Sequence, residues 1–576
     1  MALFSSTSLA LAVLILYVAI GLVRNTFKAI NTGLPYTFTL IHELQTWAYV
    51  TDPILRRLCR KRLLRGQGWP RWARFMIKDW HYEDKCRAHD EFGSIFLVVS
   101  PAGIVCYVAD ARVALHVLTR RKAFVKPPEK MKMLEPFGPN IGSSEGDLWK
   151  SHSRIATPSF NESTLLSVWN ESQRQAHRLK TIWSRNNNMA FEKEIYTSTM
   201  ETMSAVSFGL QGHSANPETI GFEKTPRHTI SLLGALNGVV MHLPHILLVP
   251  KLILRYSPWK AAYTAYTEMD KYMDDLLSQA NRDIDHGIEL PRGKGSLLEA
   301  LHRHSRQSPE LSSEKLSVKL SLTDQEIKGN LFIFLLAGYD TTANTIIYAC
   351  IILSLYPDIQ DRVLSEIEQY HRHSHETDVS GESISQQLAK FPYLLALMYE
   401  ILRVFPVIRP IARQTTSAQQ LPTGTHQVVL PGGTDVIVNN TALHFTESNW
   451  RSAEVIDPRR WLVQNPNAFD PSIPPTKEQE TEMQRSTAKM PEPLKGTFMT
   501  FGEGPRACLG RNFAKVEFVA FFSELLHGNR LLLGDTATSE EVERELRFMS
   551  GGSPVTLIPP RTVDITFIPT QEPRAN

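Results

Sequence analysis

The sequence has few cysteines and little net charge. Its 576 residues include five cysteines, with no Cys-x-x-Cys pair and no regular spacing. This scarcity excludes a disulfide framework and a cysteine-rich structural zinc site, and it favours a reducing compartment. The formal net charge of +3 says little about partners. We expect no nucleic-acid partner. No internal repeat is visible, so a repeat architecture is excluded.

Charged residues are also absent from the first 23 positions. Leu9–Val23 is an unbroken apolar run, and together with Phe4–Ser8 it is long enough to cross a bilayer. A cleaved signal peptide fits less well, because no basic residue precedes the run and no small-residue cleavage site follows it. Arg24 and Lys28 come next. Positive flanks stay cytoplasmic, so we expect a single-pass anchor at residues 1–23 with the bulk of the chain in the cytosol.

Residues 24–70 form a predicted basic, membrane-proximal segment. Within it, Arg56–Arg65 combines arginines and lysines with interleaved leucines. That composition suits an anionic membrane surface. A solvated helix face has the same composition, and the sequence leaves both interpretations open.

One cysteine stands in a glycine-spaced turn. The stretch Phe501–Gly510 reads Phe-Gly-Glu-Gly-Pro-Arg-Ala-Cys-Leu-Gly, and a helical pattern starts at Arg511. The N–H groups of such a turn and the positive end of the next helix lower the pKa of a thiol, so we expect Cys508 to be poised as an anion. Haem iron is one acceptor of a thiolate. The alternative is an ordinary buried cysteine.

A long apolar helix is predicted to begin after the capping box Thr323-Asp324-Gln325-Glu326 and to continue to Leu355. A helix this apolar must be buried. Asp340 and Thr341 lie inside it, where polar groups are costly unless they are hydrogen-bonded or functional. The alternative is that the threonine bonds back to its own helix and Asp340 forms a salt bridge.

The cysteine turn resembles the haem-ligand loop of the cytochrome P-450 monooxygenases. It matches Phe-x-x-Gly-x-Arg-x-Cys-x-Gly at every fixed position, namely Phe501, Gly504, Arg506, Cys508 and Gly510. By this resemblance Cys508 is the thiolate ligand of haem b, Arg506 reaches a haem propionate, and Phe501 packs near the sulfur. Gly504 permits a backbone conformation closed to other residues, and Gly510 lets the new helix approach the porphyrin.

The segment Ala337–Thr342 resembles the family's distal segment, which passes over the other face of the haem. By resemblance Gly338 lets the helix open locally and Thr341 holds a water or dioxygen. Asp340 is expected to relay protons inward.

A structural network is expected from three further residues. Glu400 and Arg403 lie three apart in the helix pattern Pro392–Phe405 and can pair. Arg460 belongs to a stretch that resembles the family's Pro-x-Arg-Phe/Trp segment, and it is expected to complete a buried network whose loss is costly.

Haem propionate contacts are expected from Arg413, Trp149 and Arg154. Arg154 falls one place later than the family's arginine, a rotation of about 100° on a helix. The sequence leaves open whether Arg154 or His152 makes the contact, and a surface position for His152 is equally consistent. Arg409, in the expected pocket wall, either points outward, which we expect, or recognises an acidic substrate group.

Several secondary elements are also predicted. Ser94–Ser100 and Gly103–Ala109 form a hairpin, and Asp110 caps a helix that runs to Arg121. Ser231–Leu254 is either a lid over the substrate channel, with an apolar surface that dips into the membrane, or a plain buried segment. The polar stretch Gly287–Leu322 is expected to be a connection, and the proline- and charge-rich stretch Gln464–Leu494 is expected to be a surface excursion.

The resemblance implies a mainly α fold with a small β region, preceded by one transmembrane helix. One haem-binding monooxygenase domain is expected over residues 71–576. The membrane is expected to be the endoplasmic reticulum, with the catalytic domain facing the cytosol. Residues 509–576 are too few for a flavin domain, so electrons are expected from NADPH through a separate reductase. Lys150, Arg511 and Lys515 are expected near the proximal face, either to meet this acidic partner or as solvated surface charge.

The implied reaction inserts one oxygen atom of O2 into a lipophilic small molecule. A terpenoid, polyketide or alkaloid of secondary metabolism is expected. One alternative is a haem-thiolate isomerase or dehydratase that acts on a peroxide without a reductase, against which the Asp340-Thr341 pair argues. The other is a haem sensor that catalyses nothing.

Overall fold

The structure, a computed structural model, describes most of the chain. The described residues are 2–45, 47–185, 191–209, 227–285, 296–303, 322–374, 381–424, 427–485, 491–551 and 555–570. Five cysteines lie within them, and all five are free thiols. The prediction that the chain has no disulfide framework is therefore confirmed.

Helices make up most of the fold. They are α1 (Ala2–Ile30), α2 (Ala48–Leu64), α3 (Arg71–Arg74), α4 (His81–Asp84), α5 (Arg87–Phe92), α6 (Ala111–Thr119), α7 (Pro128–Met131), α8 (Gly146–Ala156), α9 (Glu162–Arg185), α10 (Phe191–Phe208), α11 (Leu232–Met241), α12 (Leu243–Leu248), α13 (Lys251–Tyr256), α14 (Lys260–Asp285), α15 (Ser296–Arg303), α16 (Asp324–Leu355), α17 (Pro357–Ser374), α18 (Ile384–Leu388), α19 (Pro392–Val404), α20 (Asn440–Phe445), α21 (Lys477–Gln484), α22 (Arg511–Leu525) and α23 (Ser539–Phe548).

The strands are short and few. They are β1 (Tyr36–Phe38), β2 (Ile95–Ser100), β3 (Gly103–Val108), β4 (Phe124–Val125), β5 (Pro410–Thr415), β6 (Gln419–Leu421), β7 (Val428–Leu430), β8 (Asp435–Asn439), β9 (Asn529–Leu533) and β10 (Ile565–Pro569). Six of them form one sheet in the order β1-β2-β3-β8-β5-β4, and β9 with β10 and β6 with β7 form two antiparallel pairs. The predicted class, mainly α with a small β region, is confirmed.

The predicted hairpin forms the middle of the large sheet. Strands β2 and β3 pair antiparallel from Ile95 opposite Val108 to Ser100 opposite Gly103. The Asp110 side chain accepts hydrogen bonds from the N–H groups of Arg112 and Val113, so it caps α6 as predicted. The helix ends at Thr119, two residues before the predicted end.

Helix α1 continues past the predicted anchor boundary. It runs to Ile30 rather than to Val23, because its last turns pack on the hairpin. Asn25 is buried, and its Nδ2 donates to the carbonyl oxygens of Ser100 at 2.8 Å and Pro101 at 3.2 Å. The end of helix α1 is therefore tied directly to the sheet.

Burial separates the two described helices that are apolar and long enough to span a membrane. In α16 the apolar window is 83% buried, whereas in Leu11–Ile30 it is 18% buried. Helix α16 is thus the central core helix that its composition predicts, and Leu11–Ile30 is a candidate membrane span. Thr323 and Glu326 form the predicted capping box at the start of α16.

The stretch that we expected to be a connection and the expected surface excursion each contain a helix. Helix α15 lies inside Gly287–Leu322, and α21 lies inside Gln464–Leu494. Helix α15 buries Leu297, Leu298 and Leu301. Burial of these leucines stabilises a helix that the polar composition of the whole stretch did not predict. Helix α21 has a capping box formed by Thr476 and Gln479, a signal that the sequence carries.

Candidate functional site

The cysteine turn folds back on itself before α22 begins. The Cys508 N–H donates to the Phe501 carbonyl at 2.8 Å, and the Ala507 N–H donates to the Gly504 carbonyl at 3.0 Å. Gly504 has a φ of +70°, and a Cβ placed there would lie 2.9 Å from the Leu118 carbonyl oxygen. Only glycine combines this conformation with so close an approach to α6. Phe501 is half-buried against the core.

Cys508 is an exposed residue although protein surrounds its thiol. Burial raises the pKa of the thiol, against the opposing effects of the Gly510 N–H and Arg511. This combination is typical of a group that lines an internal cavity. A Cβ at Gly510 would lie 3.9 Å from the sulfur, so the glycine leaves that side open.

The raised pKa corrects one expectation. The turn and the helix end do not by themselves hold Cys508 as an anion, because desolvation of the sulfur outweighs them. A metal cation deprotonates a coordinating thiol outright.

A positively charged group lies beside the cysteine turn. The Arg506 guanidinium lies 4.5 Å from the Trp149 ring centroid, and its Nη2 is 2.6 Å from Glu145 Oε1. Burial and, second, the charge of Arg506 together lower the pKa of Arg413 to about 10, so these two cations lie close together. The sequence-predicted residues Trp149, Arg413 and Arg506 are thus brought together.

Lys126 is a member of this group that the sequence analysis missed. Burial, with the charges of Arg506 and Arg413, lowers the pKa of Lys126 to about 7. Within the described part of the chain, Glu145 is the carboxylate that faces these three cations, so the group has a net positive charge. No motif marks Lys126. Lys126 is identified only from the structure, where it lies next to two arginines that are distant in sequence.

Arg154 lies apart from this group. Its side chain is exposed on α8, as the one-residue offset allows. His152 is buried, so a surface position for it is wrong. Its Nδ1 lies 3.3 Å from Asn330 Nδ2, and its Nε2 lies 3.8 Å from Glu326 Oε1. His152 therefore contacts the first turns of α16.

The middle of α16 has one accessible row in an otherwise buried helix. Ala337 is exposed and Gly338 and Thr341 are half-buried, while most of the neighbouring positions of α16 are buried. These positions share one face because residues four apart align. A solvent-accessible face within a core helix indicates that it borders a cavity.

The expectation that Gly338 opens the helix is wrong. Helix α16 is continuous from Asp324 to Leu355. A Cβ at Gly338 would lie 2.6 Å from the Met203 sulfur, so the glycine makes room for α10 instead. Thr341 does bond back to its own helix, with Oγ1 donating to the Ala337 carbonyl at 2.7 Å.

The Asp340 side chain is buried and hydrogen-bonded. Its Oδ2 accepts from Thr556 Oγ1 at 2.7 Å, and its Oδ1 accepts from Asn344 Nδ2 at 3.4 Å. Burial raises the pKa of Asp340 to about 6, although both hydrogen bonds act in the opposite direction. A carboxyl group with this pKa exchanges a proton readily near neutral pH. The sequence did not predict Thr556 or Asn344 as partners.

Glu400, Arg403 and Arg460 meet in the core. Glu400 lies 2.8 Å from Arg403 Nη2 and 3.2 Å from Arg460 Nε, and all three side chains are fully buried. Glu400 also accepts from Trp461 Nε1 at 3.0 Å and from the Asp457 N–H at 2.9 Å. Burial raises the pKa of Glu400, but Arg403 and then Arg460 outweigh it and hold the pKa at about 2.

The expectation that Arg409 points outward is wrong. Its side chain is 3% exposed, and its Nη2 lies 3.1 Å from Asp79 Oδ2. Burial of a cation requires a partner, and Asp79 supplies it. This pairing also occupies the guanidinium, which argues against recognition of an acidic substrate group.

The sequence and the fold were compared with known proteins. The family model for cytochrome P-450 matches residues 72–557. The cytochrome P-450 monooxygenase prx9 of Penicillium rubens is 33% identical over 98% of this chain and 97% of its own length. The monooxygenase ORF6 of Penicillium roqueforti has the same identity and coverage. A monooxygenase of the phomenoic acid biosynthesis cluster of Leptosphaeria maculans is 27% identical, over 80% of each chain.

Solved structures share the fold. A zebrafish cytochrome P-450 structure with abiraterone has a TM-score of 0.59 and 19% identity, and the match covers 84% of this chain and 98% of that one. The haem domain of cytochrome P-450DA has a TM-score of 0.62 and 17% identity, with 86% and 93% coverage.

The residues present fit a haem. Cys508 is exposed, and the positive group of Lys126, Arg413 and Arg506 suits carboxylates such as the propionates. The buried Arg506 Nε has no hydrogen-bond partner among the described residues, as expected of a donor aimed at a ligand. Family, fold and donor set agree, and the chain belongs to the cytochrome P-450 family of haem-thiolate monooxygenases.

Proposed function

We propose that this protein inserts one oxygen atom of O2 into a lipophilic small molecule, with electrons from NADPH through a separate reductase. The observation that carries the proposal is the pairing of an accessible thiol, Cys508, with an accessible row on the core helix that contains Thr341. A ligand for iron and a surface for a substrate are both needed for this chemistry.

Five residues are proposed to hold the cofactor. Cys508 would supply the sulfur ligand, and Arg413, Arg506, Lys126 and Trp149 would bind the propionates. Arg154, which is exposed on α8 apart from this group, is not assigned to it. When bound, a thiolate-ligated haem supplies the activation and cleavage of dioxygen. The protein supplies orientation, charge and exclusion of water.

Asp340 and Thr341 are proposed to deliver the proton. The pKa of Asp340 is about 6, so near neutral pH the carboxyl group exists in both protonation states and can take a proton and release it. The Thr341 hydroxyl lies at the accessible row. We infer that Asp340 takes the proton on the buried side and that Thr341 presents it at the pocket.

A membrane position is proposed for the catalytic domain. Large exposed apolar side chains cluster on α11, α12, α13 and the turn after them, namely Met241, Leu247, Leu248, Leu252, Ile253, Tyr256 and Trp259. A second set lies along α2 and its start, namely Trp47, Val50, Ile54 and Leu58. Such patches are unusual on a surface that faces only water. Both sets, with the basic residues of α2, fit a membrane interface.

The proposed arrangement is an anchor at residues 1–23, a basic segment at residues 24–70 and a monooxygenase domain at residues 71–576. The membrane is proposed to be the endoplasmic reticulum, with the domain facing the cytosol. Arg24 and Lys28, directly after the apolar run, support this orientation. The exposed apolar lid beside the membrane supports a lipophilic substrate.

The reductase is proposed to bind beside the cysteine turn. Arg511 and Lys515 lie on α22 directly after the turn, and Lys150 lies on α8 one residue from Trp149. Each is partly accessible. A basic surface over the cofactor suits an acidic electron donor.

Secondary metabolism is proposed because one relative belongs to a phomenoic acid biosynthesis cluster. The isomerase alternative needs no proton delivery, and the Asp340 carboxyl with its pKa of about 6 favours the monooxygenase over it. The sensor alternative needs no acid at the pocket either.

The experiment that tests the function uses the full chain in membranes with a microsomal NADPH reductase and a panel of terpenoids, polyketides and alkaloids under ¹⁸O₂. The proposal predicts NADPH consumption that depends on the reductase, and one ¹⁸O atom in a product. Conversion of a peroxide substrate without NADPH or reductase would instead support the isomerase.

A further inference from the structure

The buried side of Asp340 is contacted by a segment near the C-terminus of the chain. Thr556 Oγ1 donates to Asp340 Oδ2 at 2.7 Å. Asn344 Nδ2 lies 3.2 Å from the same hydroxyl oxygen and donates to the Asp340 carbonyl at 2.8 Å. Thr556 and Asn344 are fully buried, and Asp340 is 8% exposed. The carboxyl group is therefore held between its own helix and this segment.

Thr556 is in turn held by contacts from the opposite direction. The next residue, Leu557, donates its N–H to the Val407 carbonyl at 2.8 Å. Arg409 Nη2 donates to the Thr556 carbonyl at 3.3 Å and lies 3.1 Å from Asp79 Oδ2. The buried ion pair thus fixes the backbone that presents the Thr556 hydroxyl.

We propose that Thr556 is a positioning residue for the proton-delivering carboxyl group of Asp340, and that the buried ion pair of Arg409 and Asp79 holds Thr556 in place. This inference rests on the proposed role of Asp340. It adds a part of the chain that the distal motif does not contain. It also assigns the inward-pointing Arg409 a role, which is to hold the backbone of Thr556.

The hydrogen bond has a definite chemical consequence. A hydroxyl that donates to a carboxylate favours its charged form, so Thr556 lowers the pKa of Asp340 while burial raises it to about 6. Asn344 acts in the same direction as Thr556. Without the hydroxyl, the carboxyl group would hold its proton up to a higher pH.

The two tyrosines near Asp340 remain neutral across this range. Tyr196 of α10 donates to Asn344 Oδ1 at 2.8 Å, and burial raises the pKa of its phenol. Burial also raises the pKa of Tyr339, the preceding residue of α16. Arg409 and Asp79 lie beyond Thr556 and form a pair of opposite charges. A titration near pH 6 in this region therefore reports Asp340.

The position of the hydroxyl also sets the direction of the carboxyl group. Asp340 and Thr341 are adjacent, so their side chains leave the helix about 100° apart. The bond to Thr556 turns the Asp340 carboxyl group toward the buried side, away from the accessible row. Release of this bond is the step that would let the carboxyl group turn toward Thr341.

The test is an infrared titration of the haem-loaded full chain with ¹³C-labelled aspartate. The difference spectrum against Asp340→Asn isolates the Asp340 carboxyl band. Wild type is compared with Thr556→Val, which keeps the shape but loses the hydroxyl, and with Thr556→Ser, which keeps the hydroxyl. Thr202→Val is the matched control, because Thr202 is buried in α10 and its hydroxyl donates to the Ser198 carbonyl of its own helix.

The inference predicts that Thr556→Val raises the midpoint by about one pH unit, the size expected for one hydrogen bond to a charged group. Thr556→Ser and Thr202→Val are expected to keep the wild-type midpoint. Asp79→Asn is a second route to the same effect, and it is expected to move the midpoint in the same direction through Arg409. An unchanged midpoint in Thr556→Val, in a protein with a normal far-ultraviolet circular dichroism spectrum, would overturn the inference.

The failure of the proposed function gives a different result. If Asp340→Asn left the ratio of product to NADPH unchanged, Asp340 would not deliver the proton. If that ratio fell in Asp340→Asn but the infrared midpoint did not move in Thr556→Val, the role of Asp340 would stand and Thr556 would not position it.

Discussion

Replacement of Glu400 by glutamine isolates the energy of the buried charge network. The Glu400 carboxylate accepts from Arg403 at 2.8 and 2.9 Å, from Arg460 at 3.2 Å and from Trp461 at 3.0 Å. Glutamine keeps the shape but removes the charge. Arg403 and Arg460 would then lie in the core as two cations without their common anion.

The magnitude follows from the pKa of Glu400. Burial raises that pKa, but the two arginines hold it at about 2, below the ordinary value of 4.5. A depression of this size corresponds to about 3 kcal/mol, which agrees with the roughly 3–5 kcal/mol lost when one partner of a buried ion pair is removed. The contribution is present above pH 4.5 and is lost as pH falls through 2.

The assay is urea-induced unfolding of the haem-loaded protein at pH 7, followed by far-ultraviolet circular dichroism. Glu400→Gln is expected to lower the free energy of unfolding by about 3 kcal/mol, and the difference from wild type is expected to narrow below pH 4.5. Glu382→Gln is the control, because the pair of Glu382 with Lys390 is partly exposed and contributes less than about 1 kcal/mol. Equal effects of the two substitutions would refute the reasoning.

Three further predictions concern the cofactor and the proton. Asp340→Asn is expected to slow product formation by about a hundredfold and to abolish the titration near pH 6 in the dependence of the rate on pH. The assay measures product and hydrogen peroxide formed per NADPH consumed, and an unchanged ratio of product to NADPH would contradict the prediction. Gly504→Ala places a Cβ 2.9 Å from the Leu118 carbonyl oxygen at a φ of +70°, so we expect a lower haem-to-protein ratio. Gly433→Ala, with a φ of +77° and open space, is expected to retain haem and serves as its control. Lys126→Met is expected to speed haem transfer to apomyoglobin by about tenfold, which is the equivalent of one lost charge-assisted hydrogen bond. Lys122→Met changes an exposed lysine and serves as the control. Equal transfer rates in the two variants would disprove the role of Lys126.

The features that were predicted correctly from the sequence are those that depend on local patterns of residues. The cysteine turn, the capping box at Thr323 and the Asp110 cap each depend on residues within ten positions of one another, so short-range geometry determines them. The same is true of the long central helix, whose apolar composition requires burial. Glu400 and Arg403 are also close in sequence, and their pairing follows from helix periodicity.

The sequence did not predict contacts between distant segments. Asp340 and Thr556 lie 216 positions apart, and Arg409 meets Asp79 only because the helix α19 region and the N-terminal segment pack together. Lys126 joins Arg413 and Arg506 in the same way. Arg409 was predicted to point outward, and this was wrong because the distant Asp79 pairs with it in the interior. The proposed haem, substrate and reductase contacts remain predictions.

The most direct test of the central claim is the carbon monoxide difference spectrum of the reduced protein, recorded for wild type and for Cys508→Ala. Cys350→Ala is the control, because Cys350 is a fully buried thiol of α16. We expect wild type and Cys350→Ala to show the red-shifted Soret band of thiolate-ligated haem and Cys508→Ala to lack it. The same band in Cys508→Ala would show that another group binds the iron and would contradict the account.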